Sequence, residues 1–235
     1  MLDSVLDARS ADLGNGLMVR RVLPFARRRM VGPFIFFDHA GPVTLAPETA
    51  RKADVRPHPH IGLAKVSYLF SAAVTHRDSL GMEQVIRPGD VNWMTAGRGI
   101  AHSERFEDPA AFAGAGMELL QSWVALPEAD EEADPAFDHY PVQSLPEARA
   151  DGVWMRVIAG QAYGLRSPVR THTPLFYVHA VMQAGSRIDL PVGHAERAAY
   201  IVSGSLEFGA IACPDWQAGR IALPPNDRSE LIPLP

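Results

Sequence analysis

The sequence predicts an all-β fold of sandwich or barrel type, arranged in two parts. Three observations predict it. The 20 prolines and 19 glycines are spread along all 235 residues and punctuate short apolar runs, the pattern of many short strands joined by turns. Long amphipathic helical periodicity is absent. The segment 127–138, PEADEEADPAFD, has six acidic residues and two prolines among its twelve. It buries little apolar area, so it reads as a linker or surface excursion. A boundary there makes 1–130 one domain and 131–235 another.

Strands are expected in the first part at 18–23, 34–38, 64–70, 73–77, 84–86, 91–94 and 119–126. In the second they are expected at 153–158, 175–182, 186–190, 199–202 and 205–208. Each part contains a strand, a small-residue turn and a further strand: Tyr68 to Ala73 in one, Tyr200 to Ser205 in the other. This hints at a duplicated plan.

Composition excludes several function classes. Apolar residues make up 47% and charged residues 21%, which suits a globular protein with a sizeable core. The net charge is -5, whereas a phosphate-backbone binder carries a basic excess. The clusters Arg20-Arg21 and Arg27-Arg28-Arg29 read as solvated surface, so no nucleic-acid partner is expected. The single cysteine, Cys213, rules out an intrachain disulfide and fits a reducing compartment. No apolar run approaches the ~20 residues of a membrane span, and the polar N-terminus lacks a signal-peptide core. The expectation is a cytoplasmic protein without a membrane partner.

The chemistry lies in two short motifs. RPHPHIG puts His58 and His60 at i, i+2, and AGRGIAHSE puts His102 and Glu104 at the same spacing. In a strand, i and i+2 point to one face. If the two pairs lie on neighbouring strands, three nitrogens and one carboxylate converge. Such a set suits Fe(II), Mn(II), Ni(II), Co(II), Cu(II) or Zn(II), and leaves positions open for other ligands. The competing reading is that each pair is ordinary surface or hydrogen-bonding polarity. Gly97-Arg98-Gly99 reads as a tight turn that sets His102 at a fixed distance from the strand before it.

Several stretches resemble the pirin family. They are PHPHIGLAKVSYLF, HRDSLG (76–81), VIRPGDVNWMTAGRGIAHSE, ELLQSWVALP (118–127), RVIAGQAYG (156–164) and TPLFYVHAVMQAGS (173–186). The resemblance runs from about residue 18 to 209. It implies a bicupin, two jelly-roll-like β-barrels, with one metal in the N-terminal barrel, commonly iron. Carried over by motif, the ligands are His58, His60, His102 and Glu104.

Two departures stand out. Cupins often place a glutamate a few residues after HxH, where this chain has Ala64 followed by Lys65; Glu104 must then supply the carboxylate. The segment after Phe208 matches poorly, which points to a shortened or divergent second barrel. That part has only His194 and Glu196 at i, i+2, with His172 and His179 isolated, so no second metal is expected.

The resemblance further implies quercetin 2,3-dioxygenase activity, in which O2 opens the flavonol heterocycle and carbon monoxide is released. Glu104 would act as general base as well as ligand. Phe36, Met94, Phe106 and Trp123 are candidate walls for a flat ring, with Gln121 a polar contact; for each the alternative is plain core. Two other functions stay open. One is a metal-dependent redox sensor that binds a regulatory protein partner. The other is a structural metal with incidental flavonol activity.

Overall fold

The computed structural model describes residues 4–13, 17–44, 46, 51–108, 116–208, 211–213, 220–223 and 230–233, with side chains given only up to 208. The fold is all-β, as expected. The strands, in chain order, are β1 (Ser4–Asp7), β2 (Arg9–Asp12), β3 (Met18–Leu23), β4 (Phe34–Val43), β5 (Val55–His60), β6 (Leu63–Ser71), β7 (Val74–Asp78), β8 (Glu83–Ile86), β9 (Val91–Thr95), β10 (Ile100–Arg105), β11 (Met117–Ala125) and β12 (Ala136–Tyr140). They continue with β13 (Glu147–Ala150), β14 (Val153–Ala162), β15 (Leu165–Arg166), β16 (Phe176–Met182), β17 (Ile188–Asp189), β18 (Ala199–Tyr200), β19 (Leu206–Phe208), β20 (Ile211–Cys213), β21 (Arg220–Leu223) and β22 (Glu230–Pro233).

Two compact units result. One comprises Ser10–Arg21 and Pro33–Ser144; the other comprises Met1–Arg9, Val22–Gly32 and Leu145–Pro235. The first unit contains a seven-stranded sheet, ordered β12-β9-β6-β11-β4-β3-β2, and a four-stranded sheet, ordered β5-β10-β7-β8. Their inner faces touch: the rings of His60 and Trp123 lie 5.1 Å apart, and those of His76 and Phe137 lie 4.1 Å apart. The interior strand β6 is buried on both faces through most of its length, which is why it reads as a near-continuous apolar run.

The interior divides by chemistry along the strands. One end is an apolar cluster that includes Leu17, Val19, Ala40, Leu69, Val74, Phe106, Met117 and Leu119. A second apolar cluster, Met94, Ala96 and Ile100 with Leu63 and Phe137, lies at the other end, and the polar histidines lie between the two. Phe106 follows Ile100, His102 and Glu104 on the alternating inward face of its strand, so it falls in the first cluster. Phe106 thus packs as core, the alternative open to each candidate wall residue, and Met94 packs in the second cluster.

The unit that ends the chain contains the sheets β13-β14-β15 with β16 against β14, β1-β21-β18, and β17-β22-β19-β20. Most of the poorly matching segment after Phe208 lies outside the described residues. No helix among the described residues is long and apolar enough to cross a membrane.

The acidic segment behaves differently from a linker. Its last part enters β12, which pairs with β9 from Ala136↔Thr95 to Tyr140↔Val91. The two compact units accordingly divide after Ser144, whereas composition suggested residue 130. Glu128, Glu131, Glu132 and Asp134 are exposed, and the backbone is tied down. Ala133 O accepts from Arg98 N at 3.0 Å, and Arg98 pairs with Asp134 at 2.6 Å.

That anchor explains one glycine of the predicted turn. Gly97 has φ +50°, and a Cβ there would sit 2.0 Å from the Ala133 carbonyl oxygen. Gly97→Ala is expected to cost about 2–4 kcal/mol, combining left-handed backbone strain with a displaced backbone hydrogen bond. A denaturant titration checks this; a variant within about 0.5 kcal/mol of wild type would show that the turn accommodates a side chain.

Candidate metal centre

Strand β10 lies between β5 and β7. Its register sets His102 opposite His58 on one side and Asp78 on the other. Glu104 faces His76. Residues opposite one another share a face, so the two sequence motifs do converge. The rings of His58 and His102 are 4.5 Å apart, those of His58 and His60 4.9 Å, and those of His60 and His102 5.1 Å. One ligand atom from each of these three lies within 4.8 Å of the others.

Glu104 lies outside that group. Its Oε1 accepts from the Nζ of Lys65 at 2.5 Å, and both side chains are buried. Spacing placed Glu104 on the correct face; the Lys65 partner was not legible from it.

The nitrogens of the three histidines fit a metal. His60 Nε2 and both ring nitrogens of His102 are buried without a hydrogen-bond partner. Orphaned buried polar atoms are costly, and a cation would satisfy one lone-pair nitrogen on each ring. His58 Nδ1 lies 2.8 Å from the Arg56 carbonyl oxygen. A carbonyl only accepts, so Nδ1 carries the proton and Nε2 is left as a donor atom for a metal.

The electrostatics agree. Burial, with Lys65 and His58 adding, depresses the His60 pKa to about 4. Burial and then Lys65 depress that of His102 much further. Both imidazoles are neutral at neutral pH, the form that binds metals. Burial alone pushes the Glu104 carboxyl up, but the Lys65 ammonium, with His58 and His76 adding, holds the group below the usual range, so Glu104 is ionised.

Across from the histidines, the seven-stranded sheet presents a continuous row. The register pairs Phe137 with Met94, Met94 with Lys65, Lys65 with Trp123, and Trp123 with Phe36. Phe36 and Trp123 stack at 4.1 Å and 14°, and the edge of Trp123 meets His60. One step along, the row reads His139, Asn92, Ser67, Gln121, Asp38. Phe36, Met94, Trp123 and Gln121 therefore share the face that looks toward the histidines.

Sequence reasoning missed four residues here. Lys65 carried a signal, a lone charge inside an apolar run. His76 and Asp78 repeat the i, i+2 spacing within HRDSLG. Asp78 accepts from His76 Nε2 at 2.9 Å and from the backbone of Leu80 and Met82, and the His76 ring stacks on His102 at 5.1 Å and 28°. Phe137 was hidden in the acidic segment. In the other unit, Glu196 is engaged by Arg28 and by Gly32 N. His194 packs on Phe176, and His179 packs edge-on against Trp154. No further group that could hold a metal occurs among the described residues.

Comparison with known proteins agrees with the geometry. The sequence profile of the Pirin family matches residues 16–124. A pirin-like protein of Caulobacter vibrioides is 43% identical over an alignment of 290 positions covering 100% of both chains. A Pseudomonas aeruginosa protein, provisionally named a quercetin 2,3-dioxygenase, is 40% identical across 86% of this chain and 62% of its own length, so this chain spans under two thirds of that relative. A solved structure of quercetin 2,3-dioxygenase from Acinetobacter baumannii has a TM-score of 0.86 and 33% identity, over 98% of this chain and 74% of that one. With the barrel architecture, the convergent histidines and a relative matched end to end, the chain belongs to the pirin family.

Proposed function

We propose that this chain is a metal-dependent dioxygenase of the quercetin 2,3-dioxygenase type, opening the heterocycle of a flavonol with O2. The observation that carries the reading is the trio His58, His60 and His102, with unpartnered buried nitrogens on His60 and His102, facing a stacked aromatic pair. Relatives named for this activity support it. When bound, a first-row divalent metal, iron in the first instance, supplies a Lewis acid and electron exchange with O2.

The chain's own residues do the rest. The three imidazoles hold the ion. Glu104, ionised and fixed by Lys65, accepts the proton of the flavonol 3-hydroxyl. Trp123 and Met94 form a wall for a flat ring, Phe36 backs Trp123 from beneath the Arg21 guanidinium, and Gln121 offers a polar contact at the ring's edge. Because this wall is largely buried, a seated ring excludes water from the oxygen that loses its proton.

The decisive experiment loads metal-free protein anaerobically with Fe(II), then adds quercetin and air. The expected result is bleaching of the flavonol absorption with matching O2 uptake and release of carbon monoxide. Parallel loading with Mn, Co, Ni, Cu and Zn identifies which ion supports turnover. Unchanged quercetin over hours with every metal would sink the enzyme reading.

A further inference from the structure

We infer that Lys65 is a positioning residue that withholds the Glu104 carboxylate from the metal, so that the ion is held by three imidazoles alone. This rests on the proposed metal site at His58, His60 and His102.

Lys65 is only 3% exposed. It sits at the middle of the inward row, opposite Met94 on one neighbouring strand and Trp123 on the other. A buried ammonium must be paired, and its Nζ reaches Glu104 Oε1 at 2.5 Å and Ser67 Oγ at 3.4 Å. Glu104, two residues beyond His102 on the same strand face, has the spacing of a fourth ligand. Nevertheless, the cluster of ligand atoms comprises the three histidines only. The ammonium is what engages the carboxylate.

The charge count gives the consequence. Three neutral imidazoles, one carboxylate and one ammonium sum to zero. A divalent ion entering this site meets a neutral surround and a nearby positive charge. Without the ammonium, the surround carries one negative charge and the carboxylate is free to ligate. Lys65 therefore trades metal affinity for an additional open coordination position and for a net positive centre that favours anionic ligands, such as an ionised phenol or enol.

Binding of Co2+ alone to metal-free protein, followed by calorimetry and by the visible spectrum of the bound ion, tests this. Lys65→Met and Lys65→Gln are expected to bind Co2+ at least about ten-fold more tightly than wild type, the scale of effects from groups next to metal ligands. Their spectra should shift as a carboxylate joins the coordination sphere. Lys65→Arg keeps the charge and should stay within about three-fold of wild type, with its spectrum. The glutamine variant retains a hydrogen-bonding partner for Glu104, so it serves if the methionine variant fails to fold. Equal or weaker binding in the neutral variants, with an unshifted spectrum, overturns the role of Lys65 and leaves the histidine site standing. No Co2+ binding by wild type or any variant overturns both.

Discussion

His102→Ala is expected to abolish divalent-metal binding and, with it, flavonol turnover. His102 is 1% exposed and lies on an interior strand of the four-stranded sheet. Its ring is the hub of the cluster, in contact with those of His58, His60 and His76. Two nitrogens at His58 and His60 remain after the substitution, too few to hold a first-row ion against water and buffer. Altering groups that merely orient ligands already weakens metals by about 10–100-fold; loss of a ligand should exceed that range.

The readout need not be activity. A ligand bound only by the folded state stabilises it by about 2.7 kcal/mol when present at 100 times its Kd. Wild-type protein should gain this on adding metal, and His102→Ala should gain nothing. Metal-free stabilities should differ much less, because the imidazole removed is one whose two nitrogens are buried without partners. Equal metal-induced stabilisation in both proteins would place the ion elsewhere.

Acidification from pH 6.5 to 5 should destabilise the metal-free protein, and His60→Gln should reduce the slope. The folded-state pKa of His60 is depressed to about 4, chiefly by burial. In the unfolded chain the ring titrates near its ordinary value of about 6.5. Between these values the unfolded state binds the proton and the folded state does not. The contribution of this group is therefore fully present above the unfolded value, and is lost as pH falls toward about 4.

The slope approaches about 1.4 kcal/mol per pH unit for each such group. His102 and His76 are depressed in the same direction, burial again being the main cause. The ionised state of Glu104, favoured by Lys65, contributes a separate loss. That one begins only as pH falls below the ordinary carboxyl range. Urea titrations at several pH values check the prediction; parallel slopes in wild type and His60→Gln between pH 6.5 and 5 would show that His60 protonates freely in the fold.

Much of this centre is legible in the chain itself, and the reason is local. Strand alternation puts His58 with His60, and His102 with Glu104, on common faces wherever those strands lie. A glycine-bracketed turn reads as a turn because its backbone conformation suits few other residues. The all-β class follows from the same short-range periodicity, and the family resemblance rests on contiguous motifs. What only the tertiary structure decided is non-local. Composition cannot show that the acidic segment ends in a strand, because pairing with β9 supplies backbone hydrogen bonds that no property of 127–138 encodes. Nor can alternation tell which inward positions form the polar patch and which join the apolar clusters on either side of it, and that division put Phe106 in the core. The partner of Glu104 is of the same kind. Lys65 lies 39 residues away in sequence, and only the approach of the two sheets brings its buried ammonium to the carboxylate. The two motifs name the ligands within reach of a metal; sheet packing decides which of them are free to bind it.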